Sequence, residues 1–523
     1  MRIHKLVTSL VLSMALILSL VACSSEAPTG TTVGETITSD GQGQPTTGDP
    51  GRKKKDTLVL ATWEDLATMD PQGTNRASNM MVQRNIFDKL VHELPDGTVE
   101  PRLATEWTFE DDLTVLFKLR DDVKFHDGTP FTAEDVLFTL SRGKQNPISA
   151  STFKYFDVEK SEVVDPHTFR LKLTAPYAAI FNTLSSGRGS IVSKKVVESV
   201  GDDAFARNPV GTGPYKFVSW TSGTEIKLVR NEEYWGDKAI TQNVVFKIIP
   251  EAANRVIELE TGGADVIYEV AGGDVKRVED IDGAHVLMGP SNRYMVVTFS
   301  MQDEILANRD LRYALSYAID KEALVKGIYR GTATTAHGYY PSNVFAFKDT
   351  GVLPYDLEEA KKLIAKAGYA DGLTLKFNIE NREVDARLAE AIQNMWEKIG
   401  VKVEIFQMDS ATYQAQGNKF QIGMRAGNAN EPSNILIIYD SAFGDKIQPN
   451  DKKLDEMLAK AKTLYNNEER AKAYTEIQEY LHEIRYSVPL AYTSVIYGLS
   501  DKVEGFTCDP LQQVDLYKVT VFE

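Results

Sequence analysis

The side chains that most often carry chemistry are scattered along this chain rather than grouped. Acidic pairs such as Asp111-Asp112 and Asp202-Asp203 are typical of solvated loops. The nucleophile motif G-x-S-x-G, the zinc motif H-E-x-x-H and the phosphate-binding P-loop are all absent from the sequence. The histidines do not stand at metal-ligand spacing from one another: His4, His92, His126, His167, His285, His337 and His482. The pattern favours binding over catalysis, and it indicates no cofactor and no metal site.

One cysteine has a context that predicts covalent modification. A basic start at Arg2 and Lys5 precedes the apolar run 6–22, which is the pattern of a secretory signal. The run ends in Leu-Val-Ala before Cys23, and this end resembles the lipobox of bacterial lipoproteins. We therefore predict removal of residues 1–22 and attachment of lipid to the Cys23 thiol, with several acyl chains anchoring the protein. An ordinary secretory cleavage that leaves a cysteine is the alternative.

Residues 23–56 are rich in Ser, Thr, Gly and Pro, which predicts a flexible tether. The basic run 52–55 within it is either solvated or in contact with an anionic surface. The chain carries 58 basic and 74 acidic side chains, a net charge of −16, which argues against nucleic acid as a partner. Cys508 is the only other cysteine, so we expect no intrachain disulfide if Cys23 carries lipid.

The body from Thr57 onward must supply the framework for any site, and its patterns alternate between strand and helix. Apolar runs and period-two alternation predict strands, whereas apolar residues at three- and four-residue spacing predict helices. The clearest are strands at 58–61, 113–119, 169–173 and 401–405, and helices after the capping-box segment 132–135 and at 357–367, 384–399, 451–464 and 468–484. This mixture predicts an α/β fold with more than one sheet.

Several separated segments resemble one known family. Leu103 to Trp107 leads into a long string that runs from Arg120 to Val136 and includes HDGTPFTAEDV. Further segments follow in order, NPVGTGPY at 208–215, NEEYW at 231–235 and LRYALSYAIDK at 311–321. Together they resemble the family 5 extracellular solute-binding proteins, the peptide- and nickel-binding class, over nearly all of the body.

The resemblance implies a bilobal α/β fold of the periplasmic-binding-protein type, with ligand held between lobes that close by a hinge. It implies a first lobe built from 57–90, 207–293 and the C-terminal return 489–523. A subdomain is expected as an insertion at 91–206, and a second lobe at 294–488.

The resemblance also directs attention to the segment from Arg425 to Pro432. Peptide-binding members of the family carry an Asp four residues before this Pro, and its carboxylate pairs with the free amine of a peptide. Here Asn428 holds that position, Arg425 holds a position usually occupied by Trp, and Asn430 follows. A neutral amide suits neutral polar groups, whereas Arg425 could bind a carboxylate or phosphate through two hydrogen bonds. A structural network in the loop is the alternative for Arg425 and Asn428.

Three aromatic residues complete the expected site, because ligand pockets are lined by aromatic side chains with few polar groups. Trp63 follows the first strand, and Tyr339 and Tyr340 precede Pro341 near an expected lobe edge.

The sequence therefore predicts a monomeric binding lipoprotein of an ABC importer at the extracytoplasmic face of the membrane. The expected ligand is an oligopeptide or dipeptide, and the expected partners are the permease and its ATPase. A nickel chelate, an oligosaccharide or another amine-free solute is the alternative cargo, and Asn428 favours it. A peptide-sensing receptor and a secreted enzyme are alternatives of other classes.

Overall fold

The structure is a computed structural model that describes residues 52–74, 76–416, 419–443, 447 and 449–523. The signal run 1–22, Cys23 and the tether as far as residue 51 lie outside the described residues. Within the described part of the chain, every helix is too short or too polar to cross a bilayer.

The strands of the described chain are short except for two, β12 and β17. In chain order they are β1 (Thr57–Thr62), β2 (Val91–Glu93), β3 (Val99–Pro101), β4 (Ala104–Asp111), β5 (Thr114–Leu119), β6 (Glu162–Asp165), β7 (Thr168–Lys172), β8 (Tyr215–Thr221), β9 (Glu225–Arg230), β10 (Asn243–Ile248), β11 (Val266–Ile267), β12 (Ala284–Phe299), β13 (Ala333–Thr335), β14 (Leu373–Glu380), β15 (Val401–Met408), β16 (Ile422–Asn428), β17 (Ser487–Ser500), β18 (Val503–Glu504) and β19 (Thr520–Val521).

The helices lie mainly between these strands. They are α1 (Ala77–Gln83), α2 (Ala133–Gln145), α3 (Ile180–Ser185), α4 (Lys194–Val200), α5 (Asp202–Phe205), α6 (Ala252–Glu260), α7 (Val275–Glu279), α8 (Arg309–Tyr317), α9 (Lys321–Tyr329), α10 (Leu357–Lys366), α11 (Glu383–Glu397), α12 (Ser410–Ala415), α13 (Pro432–Ile435), α14 (Lys452–Ala461) and α15 (Asn467–Ile484).

One mixed sheet runs through the body in the order β15-β14-β16-β12-β17-β11-β1-β10-β9-β8, and β13 pairs with β17 beside it. A separate antiparallel sheet has the order β4-β5-β7-β6. The strands β15, β14 and β16 pair parallel, as do β11, β1 and β10, whereas the other neighbours in the large sheet pair antiparallel. The mixed α/β fold expected from the sequence is confirmed.

The long strands β12 and β17 connect two large apolar cores. One core contains side chains from β1, β8 to β10 and the end of β17, and a second contains side chains from β14 to β16, α8 to α11 and the start of β17. The two strands pair antiparallel along their length, but the ladder is interrupted between Pro290 and Tyr294. The protein is therefore bilobal, and two strands pass between the lobes. The residue boundaries that we expect for the lobes stay predictions.

The four-stranded sheet has a core of its own, in which β5 and β7 pack against α2 and α3. α2 begins with the capping box read from the sequence. The Thr132 backbone N–H donates to the Asp135 carboxylate at 2.9 Å. The capping box satisfies two hydrogen-bonding groups at the N-terminus of the helix. The sheet and its helices thus form a unit with a core distinct from that of the first lobe.

Residues 52–56 differ from the expected tether. Lys55 donates its backbone N–H to the Val521 carbonyl at 2.8 Å, and its ammonium lies 3.0 Å from the Asp265 carboxylate. Arg52 pairs with Glu504 at 2.9 Å. The basic run is thus bound to acidic groups of the folded body. Composition alone does not reveal these partners, because the carboxylates are distant in the sequence.

Candidate functional site

A cavity of about 690 Å³ lies where segments of both lobes face each other. One wall is formed by residues around α1, β2, α3 and 509–513, and the other by residues 428–437 with Asn343 and Phe345. Its volume falls within the range typical of small-molecule sites. Tyr155 and Tyr177 stack on the first wall with ring centroids 4.4 Å apart, so an apolar surface accompanies the polar groups.

The second wall begins where β16 ends. Asn428 is the last residue of the strand, and both it and Asn430 are exposed and line the cavity. Just before them, the backbone of Gly427 lies against the Tyr294 ring, and a Cβ at Gly427 would overlap that ring. The close approach explains why this position is a glycine and holds the strand end against β12.

The Glu-Pro pair that follows has a structural role. Glu431 caps α13 by accepting from the Ser433 backbone N–H at 3.2 Å. Its carboxylate also forms an ion pair with Arg470 of α15, and both side chains are almost fully buried. The Tyr474 hydroxyl donates to the same carboxylate at 3.3 Å. This network holds the loop of Asn428 and Asn430 on α15.

Arg425 has a different orientation. It pairs with Val296 in the β16–β12 ladder, three residues before Asn428, and is not one of the residues that line the cavity. Because strand side chains alternate between faces, residues an odd number apart point to opposite sides. Burial raises the pKa of Tyr439 well above its ordinary value, and the charge of Arg425 opposes that rise. Arg425 therefore lies near Tyr439, away from Asn428.

Of the three aromatic residues expected at the site, Tyr339 and Tyr340 are buried, and Trp63 is partly buried against the first core. Tyr340 is fully buried, its hydroxyl donates to the Ala346 carbonyl at 2.8 Å, and it accepts from Gln478 at 2.7 Å. Tyr339 is 3% exposed, with its ring 5.9 Å from that of Tyr439. Trp63 packs against Tyr268 at 6.2 Å. None of Trp63, Tyr339 and Tyr340 lines the cavity.

The first wall carries an acidic residue that the sequence did not single out. Glu93 ends β2, and its carboxylate accepts from the Asn182 amide at 2.7 Å. Burial, and next the charge of Glu431 from the second lobe, raise the pKa of Glu93 to about 7. Glu93 stands in the segment HELPDG, which reads as an ordinary hairpin turn, so no local pattern marks it as a cavity residue.

Arg188 is a second unforeseen residue of this wall. It lies on a 3₁₀ turn at Gly187–Gly189, directly after α3. Its Nη1 donates to the Thr152 hydroxyl at 2.8 Å and its Nε to the Thr74 carbonyl at 3.4 Å. Burial lowers the pKa of the guanidinium, which nevertheless keeps its proton because arginine does not deprotonate in proteins.

Further basic residues lie at one end of the cavity. Arg84 forms a two-point ion pair with Asp515, with Nε to Oδ1 at 2.6 Å and Nη2 to Oδ2 at 3.1 Å. Burial and then the charge of Arg84 lower the pKa of Lys89 to about 7, and the same two causes lower that of His92 to about 4. Among the described residues, no cluster of three His, Cys, Asp or Glu side chains has the arrangement of a metal site.

Comparison with known families matches residues 98–446 to the model of the bacterial extracellular solute-binding proteins, family 5 middle region. The match covers well over half of the chain. The chain belongs to this family. Family 5 proteins are extracytoplasmic binding proteins without enzymatic activity, and they work with ABC transporters.

Curated family 5 relatives differ in the ligand that their names state. Heme-binding protein A of Haemophilus influenzae is 29% identical over 476 residues, which cover 84% of this chain and 87% of that protein. The dipeptide-binding protein of Escherichia coli is 26% identical over 480 residues, covering 83% and 89%. One of these relatives is named for heme and the other for a dipeptide. Membership of the family therefore identifies the chain as a binding protein but does not identify its ligand.

Solved family 5 structures have the same architecture. HbpA2 of Haemophilus parasuis superposes with a TM-score of 0.80 at 27% identity, over 89% of this chain and 99% of that one. DppA of Helicobacter pylori, in complex with the peptide STSA, gives a TM-score of 0.75 at 26% identity, over 90% and 99%. The bilobal fold of this chain is therefore the family fold.

Proposed function

We propose that this chain is the substrate-binding lipoprotein of an ABC importer, and that it binds a dipeptide or oligopeptide and delivers it to a membrane permease. The observation that carries the proposal is the cavity of about 690 Å³ between the two lobes, lined by amide, hydroxyl and charged groups from both. Such a site holds a small polar solute by many directed hydrogen bonds and excludes water when it closes.

The crossing strands suit a closing motion. Three residues, 291–293, stand outside the ladder opposite Thr493, and the Ser291 hydroxyl donates to the Thr493 carbonyl at 2.9 Å. Asn292 lies at this interruption and lines the cavity. Interruptions of this kind bend a strand locally. We assign the hinge to this segment, with the lobes and the inserted subdomain divided as expected from the sequence.

Attachment to the membrane is part of the same proposal. Cys23 would carry the lipid and residues 24–51 the tether, so that a monomeric body works beside the permease. A Cys23→Ala variant should lose its lipid and leave the membrane fraction, as followed by phase partition in detergent. A variant that stays in the detergent phase would contradict the lipid anchor.

A second candidate cargo is a solute without a free amine, such as a nickel chelate or an oligosaccharide. Asn428 favours it, because an uncharged amide at the family's carboxylate position cannot form an ion pair with an ammonium group. Both candidates use the same cavity and the same closing motion, so they differ only in the chemistry of the solute.

Mass spectrometry of solutes that co-purify with the protein, followed by thermal-shift screening, tests the choice. A ligand at a hundred times its dissociation constant stabilises the folded state by about 2.7 kcal/mol, which raises the melting temperature measurably. We expect shifts with peptides of two to six residues. If sugars or metal chelates give shifts and peptides do not, the peptide assignment is wrong.

A further inference from the structure

Glu93 lines the cavity as a carboxylate without a cation. Its contact in the described structure is the Asn182 amide at 2.7 Å, and no Lys, Arg or His of the described residues lies within ion-pairing distance. The side chain is only partly exposed. A carboxylate taken from water without a positive partner is unfavourable, and a neutral amide offsets only part of that cost.

The opposite wall of the cavity places a further negative charge near Glu93. Glu431 contributes a second carboxylate whose charge raises the pKa of Glu93. The charge of Arg470 acts in the opposite direction on the pKa of Glu93, but Arg470 is held in the buried ion pair with Glu431. In the region between β2 and the loop before α13, the Glu93 carboxylate therefore has no cation of the described residues paired with it.

Arg188 is a cation that has no carboxylate partner among the described residues. Its two hydrogen bonds go to an uncharged hydroxyl and a carbonyl, and no carboxylate of the described residues forms an ion pair with it. Two other cations of the cavity are already neutralised, Arg84 by Asp515 at 2.6 Å and Lys462 by Asp440 at 2.9 Å. Burial lowers the pKa of a third, Lys89, to about 7, and the ammonium of a fourth, Lys154, lies over the Tyr155 ring at 4.8 Å from its centroid. The Nη2 group of Arg188 has no partner among the described residues and remains for a ligand. A guanidinium fork matches a carboxylate in shape and charge.

The two groups share one supporting segment. α3 supplies Asn182 to the Glu93 carboxylate, the Ser185 hydroxyl accepts from the Glu93 backbone N–H at 2.9 Å, and Arg188 follows three residues later. The segment thus supports the anion on β2 and carries the cation itself, and both line one cavity. Glu93 lies on β2 and Arg188 on the turn after α3, and the two do not form an ion pair with each other.

We propose that Glu93 binds the ammonium group of the ligand and Arg188 its carboxylate, so that the cavity selects zwitterionic solutes with a free amine. This assignment rests on the proposed function and refines it. The amine partner is on the first lobe, across the cavity from Asn428, which explains how an amide at position 428 is compatible with a peptide ligand.

The experiment uses three libraries of dipeptides: unmodified, acetylated at the amine, and amidated at the carboxylate. Apparent affinities for the wild-type chain, Glu93→Gln and Arg188→Gln are measured by thermal shift. Exposed Glu100 and Lys195 supply the charge-matched controls Glu100→Gln and Lys195→Gln. Far-ultraviolet circular dichroism checks that each variant is folded.

We expect acetylation and Glu93→Gln each to weaken binding roughly tenfold to a hundredfold, the effect of one charged hydrogen-bonded contact. Applied together they should weaken it no further than either alone. Amidation and Arg188→Gln should be coupled in the same way, and the controls should match the wild type. If Glu93→Gln keeps the full preference for a free amine, or Arg188→Gln the full preference for a free carboxylate, the assignment is overturned while peptide binding stands. If no library binds the wild type, the proposed function fails and the assignment fails with it.

Discussion

The negative charge of Glu93 should make the ligand-free protein less stable than the same protein with a neutral side chain at this position. Its pKa is raised from 4.5 to about 7, a difference of 7 − 4.5 = 2.5 units. At 1.36 kcal/mol per unit this corresponds to at most about 3 kcal/mol of folding free energy. The sign follows from proton binding. An acid with a raised pKa binds its proton more tightly in the folded state, so the stability it contributes is present at low pH and is lost as pH rises from 4.5 to 7.

The variant Glu93→Gln removes this titration and retains a polar side chain that can accept from Asn182. We expect it to be more stable than the wild type at pH 8 by roughly 1–3 kcal/mol, allowing for the partial exposure of the group. The gain should shrink steadily between pH 7 and pH 4.5. A gain of stability together with a loss of ligand affinity is typical of a residue retained for binding.

Urea unfolding of the ligand-free protein at pH 5, 6, 7 and 8, followed by tryptophan fluorescence, measures the effect. The control Glu100→Gln removes an exposed carboxylate from the same hairpin and should give the wild-type midpoint at every pH. Equal midpoints for Glu93→Gln and the wild type at pH 8 would refute the reasoning, as would a variant less stable than the wild type throughout.

Three further predictions concern the loop that carries Asn428. Arg470→Met should lower the unfolding free energy by about 3–5 kcal/mol because it leaves the buried Glu431 carboxylate unpaired, and Glu431→Gln in the same chain should restore part of it, as chemical denaturation will report. A loss no larger than that of a surface substitution would contradict the buried pair. Gly427→Ala should cost about 1–3 kcal/mol through overlap with the Tyr294 ring, and Tyr294→Leu should reduce that cost in a double-mutant cycle; additive losses would argue against the contact. Asn428→Asp should tighten binding of peptides with free amines in calorimetry, because it adds a carboxylate to the wall opposite Glu93, and unchanged affinity would show that the side chain at position 428 does not reach the amine.

Elements with strong local signals were predictable from the sequence. The Asp356 side chain caps α10 by accepting from the Glu359 backbone N–H at 2.9 Å, and Gly368 ends the turn with a φ of 94°. The apolar stripe of α11 is buried, and Trp396 donates to the Leu315 carbonyl at 2.8 Å in the core. In each case the residues that decide the structure are neighbours in the chain or share one helix face.

The cavity was less predictable because distant segments form it. Glu93 and Asn182 are 89 positions apart, and neither stands in a pattern that differs from a surface turn or a short helix. The alternation of side chains along β16 separates Arg425 from Asn428, but the strand itself has no period-two apolar pattern that would have predicted it. Tyr339 and Tyr340 gave no such signal, because an aromatic pair before a proline suits a core as well as a pocket wall.

Closure of the two lobes on a solute is the central claim, and a distance measured between spin labels across the cavity tests it most directly. Labels at Lys195→Cys on α4 and Lys361→Cys on α10, in a chain with Cys23→Ala and Cys508→Ser, report on helices that pack on the two different cores, and a pair at Lys361→Cys and Lys402→Cys reports within the second core. We predict that adding the unmodified dipeptide library shortens the first distance and leaves the second unchanged. An unchanged first distance at saturating ligand would contradict the account.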